Sequence, residues 1–135
     1  MAGYPQLIQT VIDTTEVRAT AEFYRELFGL VYRPGDEPAD GEEPPQWLVL
    51  RRPDGTNALA FQQADEVKRT TWPDPEVPMQ LHLDFTVTDV DELYRHRARA
   101  EELGATLRLD RSDDSEEPLF VMTDPAGHPF CLFVG

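Results

Sequence analysis

The chain has 135 residues, of which 40% are hydrophobic and 28% are charged, and its formal net charge at pH 7 is −14. This length predicts one domain or two small modules that share one core, and the composition is ordinary for a soluble globular protein. The excess of acidic residues argues against nucleic acid as a partner, because phosphate binding needs clustered lysine and arginine.

Features that bear on cellular location predict a cytoplasmic protein. The single cysteine, Cys131, cannot form an internal disulfide and is typical of a reducing compartment. No apolar run approaches the roughly 20 residues that a membrane-spanning helix needs. The first residues, MAGYPQLIQ, lack the basic and apolar regions of a signal peptide. We therefore expect neither secretion nor a membrane partner.

The acidic charge has two interpretations. Its electric field would favour a cationic ligand. Alternatively, the charge serves solubility, because much of it lies in two loop-like runs at 35–44 and 110–118. Net charge bears on solubility before it bears on specificity, so we favour the second interpretation.

The first half of the chain predicts a strand, a helix and three further strands. Apolar and polar residues alternate over 8–13, which indicates a half-buried strand. Thr14 and Thr15 are candidate caps for a helix that stops at Gly29. The apolar stripe of this helix is predicted to be Val17, Ala21, Tyr24 and Phe28. The remaining strands are predicted at 30–33, 46–51 and 57–62.

The second half repeats this order after an irregular, proline-containing linker at 64–79. A strand is predicted over 81–87, and Asp89 with Glu92 forms a capping box for the next helix. This helix stops at Gly104. Its apolar stripe is predicted to be Val90, Leu93, Ala100 and Leu103. The last strands are predicted at 106–110, 119–122 and 129–134.

Superposing the halves aligns Gln9 with His82, which indicates an internal repeat. The sequence therefore predicts an α+β domain over 1–135, built from two tandem βαβββ modules at 4–63 and 80–135. Each helix covers one face of its own mixed sheet. The other faces are predicted to curl into a trough or half-barrel, a typical place for a small ligand.

Four segments, in this order and spacing, resemble the vicinal oxygen chelate superfamily, which includes glyoxalase I, bleomycin-resistance proteins and extradiol dioxygenases. The segments are EFYRELFGL (22–30), LHLDFTVTDVDEL (81–93), EELGA (101–105) and TDPAGHPFCLF (123–133). HLDF followed by DVDEL is similar to the glyoxalase-like subgroup. The resemblance covers almost the whole chain and implies the same fold, a small-molecule partner and a homodimer.

The resemblance also implies where a metal would bind. In metal-using members each module lends two ligands from the trough face, one on its first strand and one on its last. The first-strand positions here are Gln9 and His82. The last-strand positions, usually glutamate, are Cys131 in the second half and Ala60, or Gln62 in a shifted register, in the first. Because both glutamates are missing, we expect no metal and no cofactor.

The same residues could support other chemistry. Manganese or iron would need a carboxylate, which Asp84 beside His82 could supply, whereas Gln9, His82 and Cys131 are an unusual set for zinc. His82 and Asp84 could also form an acid–base pair or a structural pair. No predicted cation stabilises a Cys131 thiolate, so this residue is interpreted as a small buried filler.

The aromatic residues are candidates for gripping a planar or cationic ligand. Trp47 is predicted to face the trough, and Phe133 shares the face of Cys131. Phe61 is predicted to pack on the first helix. Trp72 lies in the linker, where it would cover a pocket or a dimer contact.

The predicted function is a glyoxalase-like small-molecule-binding protein that sequesters a cationic or aromatic compound without a catalytic metal. The alternative is a metal-dependent lyase, isomerase or dioxygenase that uses Gln9 and His82 with a replacement ligand. A third hypothesis makes the trough a subunit interface only. No catalytic residue is assigned. The predicted ligand-binding residues are Gln9, Trp47, Gln62, His82, Asp84, Cys131 and Phe133.

Overall fold

The computed structural model of the protein describes residues 3–135. They form two helices and eight strands in two units, Met1–Asp65 and Glu66–Gly135. Each unit has one helix and one open four-stranded mixed sheet, which confirms the predicted α+β class and its tandem βαβββ modules. Among the described residues, no helix is long and apolar enough to cross a membrane.

The sheet of the first unit joins the strand before its helix to the last strand of the unit. The elements are β1 (Thr10–Thr14), α1 (Val17–Phe28), β2 (Val31–Tyr32), β3 (Trp47–Arg51) and β4 (Asn57–Gln63). The strand order is β1-β4-β3-β2, with β1 parallel to β4 and the other pairs antiparallel. This parallel pairing is possible because α1 and two strands lie between its partners in the sequence.

Helix α1 packs on the sheet through the predicted stripe. The ring of Tyr24, fully buried, lies 5.7 Å from that of Phe61 on β4 and 5.8 Å from that of Phe28. The helix ends at Gly29, whose φ of 67° is in the left-handed region that favours glycine. Both predictions are confirmed.

The predicted cap of α1 is wrong. Glu16 occupies the N-cap position and makes no side-chain cap bond. Thr14 is instead the buried last residue of β1, and its hydroxyl lies 2.7 Å from that of Thr20. The same oxygen accepts the backbone N–H of Glu16, at 3.0 Å. The hydroxyl therefore joins β1 to α1 inside the core, which sequence pattern alone did not indicate.

The second unit has the same strand order. Its elements are β5 (Leu83–Val87), α2 (Val90–Glu102), β6 (Thr106–Arg111), β7 (Leu119–Thr123) and β8 (Pro129–Val134). The order is β5-β8-β7-β6, and β5 is parallel to β8. The two units are thus equivalent strand for strand.

Helix α2 begins at the predicted cap. The carboxylate of Asp89 accepts the backbone N–H of Glu92 at 2.8 Å. The carboxylate of Glu92 bonds forward to Arg95 and His96. The capping box therefore forms in one direction only.

Three apolar residues of the predicted strands and of the predicted α2 stripe are exposed. Leu81 is 76% exposed because β5 begins only at Leu83, and Val90 is 40% exposed at the first turn of α2. Ile8, 60% exposed, likewise precedes its strand. For Leu81 and Ile8 the apolar pattern begins before the strand does, whereas Val90 is the first residue of α2.

The segment 64–79, predicted as a linker, contains no helix or strand, and from Glu66 on it belongs to the second unit. The guanidinium of Arg108 donates to the carbonyl of Trp72 at 3.0 Å. At Gly127, φ is 95° and a Cβ would lie 2.3 Å from Cγ of Arg69. Only glycine fits this close approach.

We expect Asp89→Ala to lower the free energy of unfolding by about 1 kcal/mol, because it removes the only side-chain bond at the α2 N-cap position. Urea denaturation measures this change. Asp91→Ala is the matched control, since it removes an acid of the first turn of α2 but no cap bond. Equal losses in both variants would contradict the assigned cap.

Candidate functional site

In each sheet, the face opposite the helix carries the predicted site residues. Phe61 faces α1, so its neighbour Gln62 points the other way and is exposed. In the cross-strand register, Gln62 is opposite both Trp47 on β3 and Asp13 on β1. These three residues form the Trp47 row, which spans two strand spacings, about 10 Å. Trp47 is 37% exposed and thus available to a ligand.

An apolar row lies next to the Trp47 row on the same face. Val11 on β1 and Val49 on β3 are both opposite Ala60 on β4. Ala60 and Val49 are buried, whereas Val11 is 44% exposed. A ligand on this face would therefore meet the aromatic, amide and carboxylate groups of the Trp47 row, and in the neighbouring row it could contact only Val11.

A chain of side-chain hydrogen bonds involves Gln9, which lies just before β1. The amide of Asn57 donates to Oε1 of Gln9 at 3.0 Å. The side-chain oxygen of Asn57 in turn accepts the Nε–H of Arg51, also at 3.0 Å. Sequence reasoning missed Arg51 and Asn57, and only their places at the ends of β3 and β4 hinted at a shared role.

Gln9 and Asn57 also line an open cavity of about 660 Å³ within the first unit. Its other lining residues are Gln6, Leu7, Ile8, Thr10, Arg52, Thr56 and Ala58. Trp47 and Gln62 do not line it. The predicted residues of the first unit therefore fall in two places, the Trp47 row and this cavity.

In the second unit, the parallel pairing of β5 and β8 determines which predicted site residues lie next to each other. Asp84 is opposite Cys131, and Thr86 is opposite Phe133. Phe130 is fully buried on the alternate face. Cys131 and Phe133 therefore share the face that Asp84 occupies, as the alternation predicts.

His82 joins these residues from the segment before β5. Its Nε2 lies 3.4 Å from Oδ1 of Asp84, and the two side chains are 43% and 57% exposed. The nearest ligand atoms of His82, Asp84 and Cys131 all lie within 4.8 Å of one another. The fold thus brings three of the seven predicted residues into one cluster, here called the His82 cluster.

The thiol of Cys131 is protonated at neutral pH. Burial raises its pKa, and the negative charge of Asp84 raises it further, to about 11. A nucleophilic cysteine needs the opposite environment, in which a cation or a helix N-terminus stabilises the thiolate. The interpretation of Cys131 as a non-nucleophilic residue is therefore favoured.

The register also decides between Ala60 and Gln62 as the counterpart of Cys131. Cys131 is opposite Asp84, which comes two residues after His82. In the first unit, the residue two after Gln9 is Val11, and Val11 is opposite Ala60. Ala60 is the counterpart, and alanine has no ligand atom. In the first unit, the residues at the implied metal positions, Gln9 and Ala60, therefore do not form a metal site. In the second unit, the His82 cluster contains nitrogen, oxygen and sulfur atoms that could bind a metal.

Comparison with known proteins identifies a family. The family model described as a glyoxalase-like domain matches residues 9–133. No curated protein matches the chain. The match extends from Gln9 to Phe133 and so includes every predicted site residue.

Solved structures of several bacterial proteins share the fold. A glyoxalase/bleomycin resistance protein/dioxygenase family enzyme from Burkholderia phytofirmans is 17% identical, with a TM-score of 0.72 and coverage of 96% of this chain and 98% of that chain. The fosfomycin resistance protein FosX from Mesorhizobium loti is 16% identical, with a TM-score of 0.67 and coverage of 100% and 94%. Lactoylglutathione lyase from Agrobacterium tumefaciens is 19% identical, with a TM-score of 0.61 and coverage of 99% and 96%.

We expect Cys131 to react with iodoacetamide at pH 8 about tenfold more slowly than an unperturbed thiol. Raising the pKa from 9.0 to about 11 lowers the thiolate fraction by about 100-fold. The greater nucleophilicity of the more basic thiolate recovers about tenfold. Mass spectrometry of the alkylated protein, in buffer with a chelator, gives the rate.

The Asp84→Asn variant should react faster, because it removes the charge that disfavours the thiolate. Asp91→Asn removes an exposed carboxylate from α2 instead and should leave the rate unchanged. Identical rates for Asp84→Asn and the parent protein would show that this carboxylate does not control the thiol.

Proposed function

Because the chain belongs to the glyoxalase-like domain family, we propose that it is a small-molecule-binding protein that holds a cationic or aromatic compound without a catalytic metal. The observation that carries this proposal is the Trp47 row, in which an exposed indole, amide and carboxylate lie side by side on one sheet face. We also propose that the protein is cytoplasmic and forms a homodimer.

The chemistry of the Trp47 row suits an aromatic cation. The indole of Trp47 offers a π face, and a cation–π contact contributes about 0.5–1 kcal/mol at an exposed site. Asp13 lies about 10 Å away across the row and adds a negative charge. The amide of Gln62, between them, can orient a polar group of the ligand. The acidic net charge of −14 also attracts a cation.

The metal-free part of the proposal rests on the first unit. Its counterparts of the implied metal positions are Gln9, a neutral amide, and Ala60, which has no donor. Two of the similar structures are described by resistance to an antibiotic, bleomycin in the family name of one and fosfomycin in the other. Sequestration of a compound would be one way for a protein of this fold to act without catalysis.

We expect the protein to bind berberine, an aromatic cation, more tightly than anilinonaphthalene sulfonate, an aromatic anion. Trp47→Leu should weaken berberine binding by about fivefold through loss of the π face. Asp13→Asn should weaken it to a similar extent through loss of one exposed charge contact. Isothermal titration calorimetry measures each affinity.

Asp91→Asn is the matched control for charge, because it removes one carboxylate from a helix of the other unit. It should leave berberine binding unchanged. If Trp47→Leu and Asp13→Asn bind berberine as the parent protein does, the Trp47 row is not the binding site.

The alternative is a metal-dependent lyase, isomerase or dioxygenase, and the His82 cluster is the observation that favours it. Asp84 and Cys131 would then be the replacement ligands for the missing glutamates. One similar structure is a lactoylglutathione lyase, which illustrates an enzyme of this fold. Such an ion would supply Lewis-acid polarisation of a bound oxygen group.

Chelator treatment separates the two functions. Under the proposed function, dialysis against EDTA leaves berberine affinity unchanged, because the Trp47 row contains no part of the His82 cluster. Under the alternative, a lactoylglutathione lyase activity, the one named for a similar structure, would disappear with EDTA and with His82→Ala. His96→Ala, which removes a helix histidine paired with Glu92, would retain it.

A further inference from the structure

The open cavity that Gln9, Arg52 and Asn57 line in the first unit, here called the Arg52 cavity, has no acidic lining residue. Among the described residues that line it, one is a cation, five are neutral and polar, and three are apolar. The chain as a whole has 26 acidic and 12 basic residues. The volume of about 660 Å³ is typical of a small-molecule site. The cavity is therefore opposite in charge to the chain, which favours an anionic ligand.

The hydrogen bonds of Asn57 determine which end of the Gln9 amide is left for a ligand. An arginine side chain only donates hydrogen bonds, so the Nε–H of Arg51 pairs with the side-chain oxygen of Asn57, at 3.0 Å. The side-chain nitrogen of Asn57 then donates to Oε1 of Gln9, also at 3.0 Å. The group that remains on Gln9 is its NH₂, which has no hydrogen bond to any other described residue. This group donates and does not accept, so it suits an acceptor such as a carboxylate.

A β-bulge brings Arg51 to the position from which it orients this amide. Leu50 is opposite Leu59 in the pairing of β3 with β4. A regular register would continue with Arg51 opposite Ala58, but the register shifts after Leu50, and Arg51 is opposite Asn57. Bulges redirect side chains and are over-represented beside functional sites. The irregular register thus has a chemical consequence at the edge of the cavity.

The backbone of Asn57 also positions the guanidinium of Arg52. Nη1 of Arg52 donates to the carbonyl of Asn57 at 2.8 Å and to the hydroxyl of Thr56 at 3.3 Å. Within the described part of the chain, its Nε and Nη2 make no hydrogen bond and no ion pair. Asp54, in the same turn, bonds to Thr56 and does not line the cavity. The edge formed by Nε and Nη2 can therefore bind both oxygens of a carboxylate.

We propose that the Arg52 cavity binds an organic anion, a carboxylate carried on an apolar chain or ring. The carboxylate bonds to the guanidinium of Arg52 and to the NH₂ of Gln9. The apolar part of the ligand contacts Leu7 and Ile8, which also line the cavity and are 92% and 60% exposed. This inference goes beyond the proposed function and does not rest on it, because the cavity shares no residue with the Trp47 row and prefers the opposite charge. It involves no metal.

The net charge of −14 opposes the approach of an anion, but dissolved salt limits the range of this repulsion. At physiological ionic strength, exposed charges more than about 8 Å apart are largely screened from each other. The contact with Arg52 would be direct, and a hydrogen bond between ionised groups is about twice as strong as one between neutral groups. The donors that line the cavity therefore decide its preference, and the distant acids do not.

The test uses the full-length protein in buffer with EDTA, so that a metal-bound carboxylate cannot contribute to binding. The probes are 4-phenylbutyrate, an anion, and 4-phenyl-1-butanol, an uncharged compound with the same apolar body. Titration of the ¹⁵N-labelled protein, followed by NMR, gives both affinities. We expect the acid to bind about tenfold more tightly than the alcohol and to shift the side-chain NH₂ resonances of Gln9. Equal affinities of the acid and the alcohol would overturn the proposal.

Gln9→Glu is the most direct variant, because it keeps the shape of the side chain and the oxygen that accepts from Asn57. The NH₂ donor becomes a charged acceptor, so the affinity for 4-phenylbutyrate should fall by about tenfold or more. Gln80→Glu is the matched control, since it makes the same change at an exposed position of the second unit. It should bind the acid as the parent protein does.

Arg52→Gln should weaken binding of the acid by about tenfold, the lower end for a hydrogen bond between charged groups, because Arg52 is exposed. Arg52→Lys keeps the charge and should recover most of this loss. Arg111→Gln removes an exposed arginine from the second unit and should change nothing. If Arg52 only supports the hairpin turn, Arg52→Gln will change the affinities for the acid and the alcohol equally, which would overturn the proposal.

Measurements with berberine keep the Arg52 cavity distinct from the Trp47 row. Trp47→Leu should leave the affinity for 4-phenylbutyrate unchanged, and saturating 4-phenylbutyrate should not displace berberine. Binding of the acid that is lost in Trp47→Leu but kept in Gln9→Glu and Arg52→Gln would place the acid on the Trp47 row and overturn the cavity site. Failure of the acid to bind to a parent protein that binds berberine would overturn the cavity site alone.

Discussion

The parallel pairing between the first and last strands of each unit is the constraint on which the rest of this structure depends. A parallel pair needs a long crossover, so the helix between the two strands crosses one sheet face, and the two other intervening strands join the same sheet. The helix covers that face, and alternate residues of both strands point to the other. The same pairing puts Asp13 opposite Gln62 in the first unit and Asp84 opposite Cys131 in the second.

The two units have one strand order but different chemistry on their open faces. The position that holds Cys131 in the second unit holds Ala60 in the first, and Val11 stands where Asp84 does. At these two positions the first unit therefore has apolar side chains, of which Val11 is exposed and Ala60 is buried. The second offers ligand atoms suited to an ion. The two units can differ in this way because the strand register fixes which backbone positions are opposite each other, whereas the side chain at each position can vary.

Part of the acidic charge has a structural use. In the acidic loop 35–44, the carboxylate of Asp36 accepts the backbone N–H of Val49 at 2.9 Å. Glu42 forms a two-bond ion pair with the guanidinium of Arg18 on α1, and this pair lowers the pKa of the glutamate. These acids attach the loop to the rest of the first unit. This use of the charge agrees with the interpretation that net charge does not by itself determine ligand specificity.

The sequence by itself determined the order of elements, the glycine stop at Gly29 and the Asp89 cap, because each depends on neighbours within a few residues. The resemblance of the sequence to the vicinal oxygen chelate superfamily also predicted the fold. Only the tertiary structure decided that Ala60 rather than Gln62 is the counterpart of Cys131, and that Asp84 lies against the thiol. Those facts depend on the register between strands far apart in sequence, which alternation leaves undetermined.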